Sequence, residues 1–572
     1  MKFKLIGSNN CNNVKETFLQ NRGIRDIEQY CHLTESCVND YNDLANIADA
    51  IKMFLSNIEA GKKMGILTDS DCDGYTSAAI LYNYTMLNYP DIDIKYYLHS
   101  SKQHGLSEDV FNTIINDDIE FLCIPDAGTN DTEQCKQLCD KGIDVLILDH
   151  HNQDVDNPYA VIVNNQCSPH YQNKELSGVG IVYQFLRAVD DESWNDSANN
   201  YLDLVAIGNI ADVMDMRSFE TRYLVDKGLQ QIVNPCLEAF VDGQGFQIKG
   251  RMNIHAIEFY ISPLINAVCR VGTMEDKEIL FKALIGDESE TYIAKKKDKE
   301  TGKFVAIEEN VYEHAFRVAK NAKTRQDNSV KKLIPEVREW IKKHSADKFP
   351  VLFARLPDET DGSFTGLIAN RIANEYRKPT VILRKTDNQL GGSGRNFDNS
   401  PLPSLKEILD KSSKFNLVQG HDNAFGVNID SEQVKPAIAY CARACKDIDF
   451  AMKSVDFTMD YDELDIKFIR DIDGLKDLYG AGLKEPLVYI SNICLQADQG
   501  SLIGKSGNTW KFTDDDEITF IKFLASSDDP VLNFLEDGED DEIVIRAICK
   551  VGFNEFNGIL TAQVQVIDYE VM

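Results

Sequence analysis

Short, continuously apolar runs alternate with helical segments between residues 64 and about 240. Met64-Gly65-Ile66-Leu67-Thr68 runs into an Asp-rich turn, followed by a helix expected from Tyr75 to about Tyr89. Ile119 to Ile124 predicts a second strand ending at Asp126, and Thr132 to Lys141 a helix stopped by Gly142. Val145 to Leu148 predicts a third strand, ending at Asp149. Strands that are apolar throughout have to be covered on both faces, and the intervening helices supply the cover, so the region predicts a parallel sheet. Ligands of such sheets bind beyond the carboxyl ends of the strands. Asp69, Asp71, Asp73, Asp126 and Asp149 all fall there.

The pattern then changes twice. Residues 290 to 345 have little apolar content; they carry Lys295-Lys296-Lys297 and a helical segment, Arg317 to Lys343, with nine Lys or Arg against three Asp or Glu. This reads as a long connecting helix with a basic face. Residues 350 to 450 return to an α/β pattern, with a Gly-rich strand and turn at Gly391-Gly392-Ser393-Gly394-Arg395. From about 455 the strands become short and alternating, as in Trp510-Lys511-Phe512, Ile518 to Ile521 and Leu560 to Val566. That pattern predicts a small β-barrel of OB type. The predicted domains are 1–240, 241–346 with the connecting helix, 347–454 and 455–572.

Length and charge refine this picture. A chain of 572 residues predicts three to four domains. The net charge of -32 argues at first against a nucleic-acid partner, because phosphates are bound mainly through Lys and Arg. The prior fails if the acids are gathered in metal sites and exposed loops. Twelve acidic residues and one Lys lie between Asp514 and Glu542, and they read as solvated loops, with a docking or DNA-mimicking surface as the alternative. Fourteen Cys include no CxxC pair; Cys135/Cys139 and Cys441/Cys445 sit at helical spacing and are expected to be buried thiols. The N-terminus lacks an apolar targeting core, and no apolar run approaches the roughly 18 residues of a membrane span. With free thiols, the protein is expected to be cytoplasmic, without a membrane partner, and monomeric.

The chemistry concentrates at Thr68-Asp69-Ser70-Asp71-Cys72-Asp73-Gly74. An EF-hand loop shares this Asp spacing but needs a Glu at its twelfth position, which here is Ile80. Asp126 and Asp149 end separate strands, and Asp149 is followed by His150-His151. So many carboxylates at one sheet mouth repel unless cations neutralise them, which points to a metal site.

These residues resemble the DHH phosphoesterase superfamily and, within it, the RecJ-type single-strand-specific DNA exonucleases. The likeness is carried by TDSDCDGYTS (68–77), Asp126 in CIPDAG, Asp149-His150-His151 in LILDHH, and Leu176-Ser177-Gly178-Val179-Gly180 with LDLVAIGNIADV (202–213). SPLINAVCRVG (262–272) is similar to the segment that follows, while FTGLIANRI (364–372), GGSGR (391–395) and GHDNAFG (420–426) resemble the accessory domain called DHHA1. The resemblance covers roughly residues 60 to 430. It implies a parallel-sheet DHH domain and a second α/β domain, to which the residue pattern adds the long connecting helix and a C-terminal OB-like barrel expected to bind nucleic acid or a partner.

The resemblance implies two divalent cations, Mn²⁺ or Mg²⁺, held by Asp71, Asp73, Asp126, His150 and Asp212, with Asp69, Asp149 and His151 completing or supporting the site. Asp71, Asp73, Asp126, His150, His151 and Asp212 are the implied catalytic set. Ser177, Gly178, Asn266, Arg270, Arg371, Gly392, Ser393, Gly394, Arg395 and His421 are the implied substrate contacts, with Ser393 and Arg395 on a 5′-terminal phosphate. Two departures stand out. Many family members carry a His two residues before the first motif Asp, where this chain has Leu67. The family's Arg and Gly-Tyr-Gly loop is replaced by His99-Ser100-Ser101-Lys102-Gln103-His104-Gly105, in which His99 or Lys102 is the candidate phosphate contact.

The implied activity is hydrolysis of single-stranded DNA, 5′ to 3′, to nucleoside monophosphates in repair, recombination or replication, with a helicase or single-strand-binding protein as candidate partner. Trp510 and Phe512 read as core or as base-stacking platforms. Two alternatives remain. One is a DHH phosphodiesterase of small or short nucleotides, which leaves the basic helix and the C-terminal module without a task. The other is a non-catalytic DNA or replication scaffold, which the intact set of acids disfavours.

Overall fold

The computed structural model describes residues 1–572 apart from 298–300, 387, 388, 505, 538–540 and 557. The chain forms two compact units: residues 33–335 with 480–482, and residues 1–32, 336–479 and 483–572.

The first unit is built on five strands and the helices between them. They are β1 (Met64–Thr68), α1 (Cys72–Asn88), β2 (Ile94–Leu98), α2 (Glu108–Asn116), β3 (Phe121–Pro125), α3 (Thr132–Asp140), β4 (Asp144–Asp149) and β5 (Val161–Asn164). The strand order is β2-β1-β3-β4-β5, parallel throughout. Leu67, Leu122, Ile124, Val145 and Ile147 pack against Val110 and Ile114 of α2 and Leu138 of α3. Each such side chain stabilises the sheet by about 1.5–3 kcal/mol relative to exposure. On the other face, Phe54 meets Phe121 and Phe185 edge to face. Phe185 belongs to α4 (Gly178–Ser193), which packs with α5 (Leu202–Ala211) against α1.

One boundary differs in a way that matters. The helix expected from Tyr75 begins at Cys72, because Asp71 caps it by accepting from Gly74 N at 3.1 Å. Asp71 and Asp73 are therefore fixed at a helix start rather than carried on a loop.

Residues 290 to 345 also hold more structure than their composition suggests. Tyr292–Lys297 pairs antiparallel with Phe304–Glu309, and the helix runs over Val311–His344. Its basic face is partly neutralised: Arg317 pairs with Glu309 at 2.9 Å, Arg325 with Asp276 at 2.8 Å, and Lys323 with Asp327.

In the second unit a five-stranded sheet has the order Leu417–His421, Ala424–Ile429, Leu390–Arg395, Thr380–Lys385, Leu352–Arg355. All pairs are antiparallel except the last, which is parallel. Gly392 sits where an added Cβ would lie 1.9 Å from Ile382 O, so only glycine allows these strands to close. The same unit carries a seven-stranded OB-like sheet in the order Phe457–Asp460, Val488–Gln496, Glu542–Phe556, Ile559–Val571, Thr519–Lys522, Thr509–Thr513, Gly500–Ile503.

Trp510 and Phe512 are buried in that sheet, with the Trp510 indole donating to Asp529 at 3.2 Å and meeting Phe512 and Tyr569 edge to face. They are core, and the stacking-platform reading is withdrawn. Of the two acidic runs, Asp515, Asp516 and Glu517 are an exposed turn closed by Asp514, which accepts from Ile518 N at 2.8 Å. The centre of the second run, 538–540, lies outside the described residues. Cys135, Cys441 and Cys445 are buried as expected, whereas Cys139 is exposed on the outer side of α3. No helix among the described residues is long and apolar enough to cross a membrane.

Candidate metal centre

The carboxyl ends of β1, β3 and β4 bring Asp69, Asp126 and Asp149 to one edge of the parallel sheet, and the start of α1 adds Asp71 and Asp73. Asp212 arrives from the end of α5. His150 ties the group together: its Nε2 lies 3.2 Å from Asp126 Oδ1, 3.4 Å from Asp212 Oδ2 and 4.0 Å from Asp73 Oδ2. Three overlapping sets could each hold a cation: Asp73, His150 and Asp212; Asp69, Asp71 and Asp126; and Asp126, Asp149, His150 and His151. Asp126 belongs to two of these sets. It is also held at φ +63°, a left-handed backbone that Asp tolerates better than most residues and that recurs at functional sites.

Gly178 is the reason this crowding is possible. A Cβ there would lie 2.4 Å from the Asp126 Cβ, so any side chain would displace the carboxylate. Gly178 N donates to Asp73 Oδ2 at 2.7 Å, while Ser177 Oγ and Val179 N donate to Asp73 Oδ1 at 2.9 and 3.2 Å. Ser177 and Gly178, expected as substrate contacts, are thus turned onto Asp73 and aim it.

Asp149 is saturated in the same way. One oxygen accepts from His150 N at 2.7 Å and from His151 Nδ1 at 2.8 Å; the other accepts from Thr129 N and Oγ1 at 3.1 and 2.6 Å. Its visible task is to orient the two histidines, the supporting part of the role expected for it. Asn266 Oδ1 accepts from Cys72 N at 3.1 Å, which anchors the start of α1. Arg270 has its Nε buried without a hydrogen-bond partner, and its charge lowers the Asp71 carboxyl against the stronger effects that raise it.

Burial and mutual repulsion set the protonation of the cluster. Burial, then the charges of Asp212 and Asp71, push Asp73 up to about 7. Burial and the neighbouring acids carry Asp126 well above the usual carboxylate range and raise Asp71 as well. Asp149 goes the other way: burial alone would raise it, but the charge and hydrogen bond of His151 hold it well below. For Asp69 the His104 imidazole likewise outweighs burial. Asp126 Oδ1 is buried with no hydrogen-bond donor directed at it. Carboxylate oxygens that repel one another, one of them without a donor, beside an imidazole, fit hard divalent cations.

The accessory positions gather in the second unit. Arg395 donates to Gly394 O at 2.7 Å and to Phe425 O at 3.3 Å, and Ser393 Oγ is 2.8 Å from Thr365 Oγ1. Thr365 opens the helix Thr365–Tyr376; a Cβ on its second residue, Gly366, would lie 2.7 Å from Arg395 Nη2. Arg371 is exposed on that helix. Register places Arg395 and His421 on either side of Ala424, so Gly394, Arg395 and His421 share one end of the sheet, with Ser393 and Gly392 following toward mid-strand. A guanidinium over a helix N-terminus is an arrangement suited to an anion.

His99, considered as a phosphate contact, is buried, with Nε2 3.8 Å from Asp69 Oδ1. Lys102 is exposed. Leu67 is buried in the apolar cluster with Tyr97 and Leu106. Sequence reasoning missed His104, whose Nδ1 lies 2.9 Å from Asp69 Oδ2, and Thr129 beneath Asp149. The pairing of Thr68 with Leu98 carries a signal for the first, since it puts the segment after Leu98 beside Asp69.

A family model described as the DHH family, N-terminal domain, matches residues 63–209, and one described as the RecJ OB domain matches 455–568. The chain is 34% identical over 579 residues to YorK, named as a putative SPbeta prophage-derived single-strand DNA-specific exonuclease of Bacillus subtilis, covering 100% of this chain and 98% of that protein. It is 26% identical over 396 residues to the single-stranded-DNA-specific exonuclease RecJ of Bacillus subtilis, covering 68% of this chain and 46% of that protein. The crystal structure of RecJ in complex with Mn²⁺ from Thermus thermophilus covers 100% of this chain and 78% of its own with a TM-score of 0.73 at 18% identity, a likeness of fold. With end-to-end identity to YorK and matches to both the DHH and the RecJ OB domains, the chain belongs to the RecJ family of DHH proteins.

Proposed function

We propose that this protein is a metal-dependent exonuclease that hydrolyses single-stranded DNA from the 5′ end to nucleoside monophosphates, in DNA repair, recombination or replication. The observation that carries the reading is the cluster of buried Asp73 and Asp126 with partly buried Asp71 and Asp212, closed by His150 within 3.4 Å of both Asp126 and Asp212. The names borne by the relatives support the substrate class.

Asp71, Asp73, Asp126, His150 and Asp212 would hold two cations, Mn²⁺ or Mg²⁺. Such ions supply Lewis acidity toward a phosphodiester and lower the pKa of an attacking water. The protein's own part is positioning. Ser177, Gly178 and Val179 fix Asp73 through three donated hydrogen bonds, so its oxygens cannot rotate. Asp149 fixes the ring of His151 and the backbone of His150, which keeps the His150 Nε2 turned toward Asp126 and Asp212. Arg270, partly exposed with its Nε buried, is assigned to the phosphate that is cut, and Asn266 fixes the backbone beside Asp71. Ser393, Arg395 and His421 are assigned to binding a terminal phosphate, which sets 5′ polarity. The acidic total of the chain is compatible with a DNA substrate, because local fields decide binding more than net charge does.

The test is a 3′-labelled single-stranded oligonucleotide, with and without a 5′-phosphate, incubated with Mn²⁺ or Mg²⁺ beside its duplex and an RNA version. Progressive loss from the 5′ end, absent from the duplex and from Asp126→Ala, is expected. Intact DNA under both metals overturns the reading.

A further inference from the structure

The segment from His99 to Gly105 lies across the first acid of the cluster and, among the described residues, contributes every hydrogen bond made to the Asp69 carboxylate. Gly105 N donates to Asp69 Oδ1 at 3.0 Å, and His104 Nδ1 lies 2.9 Å from Asp69 Oδ2. His99 Nε2, buried without a hydrogen-bond partner, lies 3.8 Å from Asp69 Oδ1. Asp69 is itself 4% exposed, so these groups stand where water would.

The segment is fastened at both ends. Ser70 Oγ accepts from Gln103 N at 2.9 Å and also donates to Gln103 O, locking the loop to the residue after Asp69. At the other end Lys277, fully buried and without a carboxylate in ion-pair contact among the described residues, donates from Nζ to His99 O at 2.9 Å and to Ser100 O at 3.0 Å. A buried ammonium used only to cap two carbonyls is a costly way to hold an ordinary loop. It is explained if the position of the two imidazoles matters. The His104 ring also stands edge-on to His151 at 4.7 Å between centroids, so it abuts the far side of the site as well.

We infer that His104 is a positioning residue of the metal centre. Its Nδ1–H fixes Asp69 with one orientation of its oxygens toward Asp71 and Asp126, and His99 backs the same carboxylate from the buried side. This rests on the proposed metal-dependent activity, but its own consequence is metal affinity. Partners of this kind, standing behind a ligand, change metal affinity by about 10- to 100-fold when removed.

Isothermal titration of the full chain with MnCl₂ alone, without DNA, tests it. His104→Ala is expected to weaken Mn²⁺ binding by about 10- to 100-fold, with melting by circular dichroism showing an intact fold. His104→Asn places an amide donor where Nδ1–H stood and is expected to restore most of the affinity. In cleavage assays the Ala variant should need more Mn²⁺ for half-maximal rate yet approach the parent's rate at saturating Mn²⁺. Unchanged Mn²⁺ affinity in His104→Ala overturns the inference, and so does His104→Asn binding as weakly as Ala. A parent protein that binds Mn²⁺ with this His104 dependence but leaves DNA intact removes the proposed function and keeps the inference.

Discussion

The acid cluster and the Gly-rich strand end are both candidate phosphate-handling sites, yet they are built on opposite principles. At the cluster, carboxyl groups are forced together and then steered by donors: three on Asp73 and more on Asp149. At the strand end the charge is positive, and Arg395 is tethered to the neutral carbonyls of Gly394 and Phe425. The first arrangement is unfavourable until cations arrive; the second is satisfied as it stands. Losing a cluster acid should therefore abolish chemistry, whereas losing Arg395 should weaken recognition only.

The largest effect is expected from Asp126→Ala. It removes the acid common to two of the candidate cation sets, and the cleavage rate at saturating strand should fall by about a thousandfold or more. Gel-resolved single-turnover assays measure this. A variant that keeps a tenth of the parent's rate would mean the cluster is not where the strand is cut.

Arg395→Gln should act on binding. A charge-assisted hydrogen bond contributes about 1.5–3 kcal/mol, so KM for a 5′-phosphorylated strand should rise about 10- to 100-fold with kcat nearly unchanged. A strand ending in a 5′-hydroxyl should show little difference between parent and variant. Equal losses on both strands would assign Arg395 to the sheet rather than to a phosphate.

Much of this contrast was legible in the residues. The continuous apolar strands placed Asp69, Asp126 and Asp149 at one sheet edge, and residues 391 to 395 were legible as a Gly-rich strand and turn. What the residues hid was direction. Ser177 and Gly178 sit beside the site in sequence pattern, but only the packing of α4 against α1 shows that their donors face Asp73. His104 was one residue of a loop read for its missing Arg; its link to Asp69 arises from a parallel strand pairing between segments about thirty residues apart. Trp510 and Phe512 alternate with Lys511 as core or stacking residues alike, and the pattern alone does not separate the two.

Protonation sharpens the comparison further, because only the cluster should couple to pH. With Asp73 raised to about 7 and Asp126 raised well above the usual carboxylate range, the folded protein without metal holds protons that the unfolded chain, with carboxyls near 4, has released. Those acids therefore cost the metal-free fold more as pH rises from about 4 through 7, and bound cations remove that cost. Mn²⁺ affinity should increase from pH 6 to pH 8, and titrations in buffers of different ionisation enthalpy should show more protons released at pH 6 than at pH 8. Binding that is independent of both pH and buffer would contradict the protonated cluster.

The smallest effect should come from the OB-like sheet. Trp510 is fully buried and its indole donates to Asp529, which also accepts from Val531 N at 3.2 Å, so the ring ties the sheet to the turn before the helix Pro530–Asp537. Trp510→Phe deletes that hydrogen bond and leaves Asp529 with one donor fewer, at a cost of about 1–3 kcal/mol to unfolding. Affinity for single-stranded DNA should stay at the parent's value, because a ring this deep has no face to offer a base. Urea unfolding and fluorescence-anisotropy binding separate the two readouts. A loss of DNA affinity without a loss of stability would return Trp510 to the substrate path and show that the sheet opens around it when DNA binds.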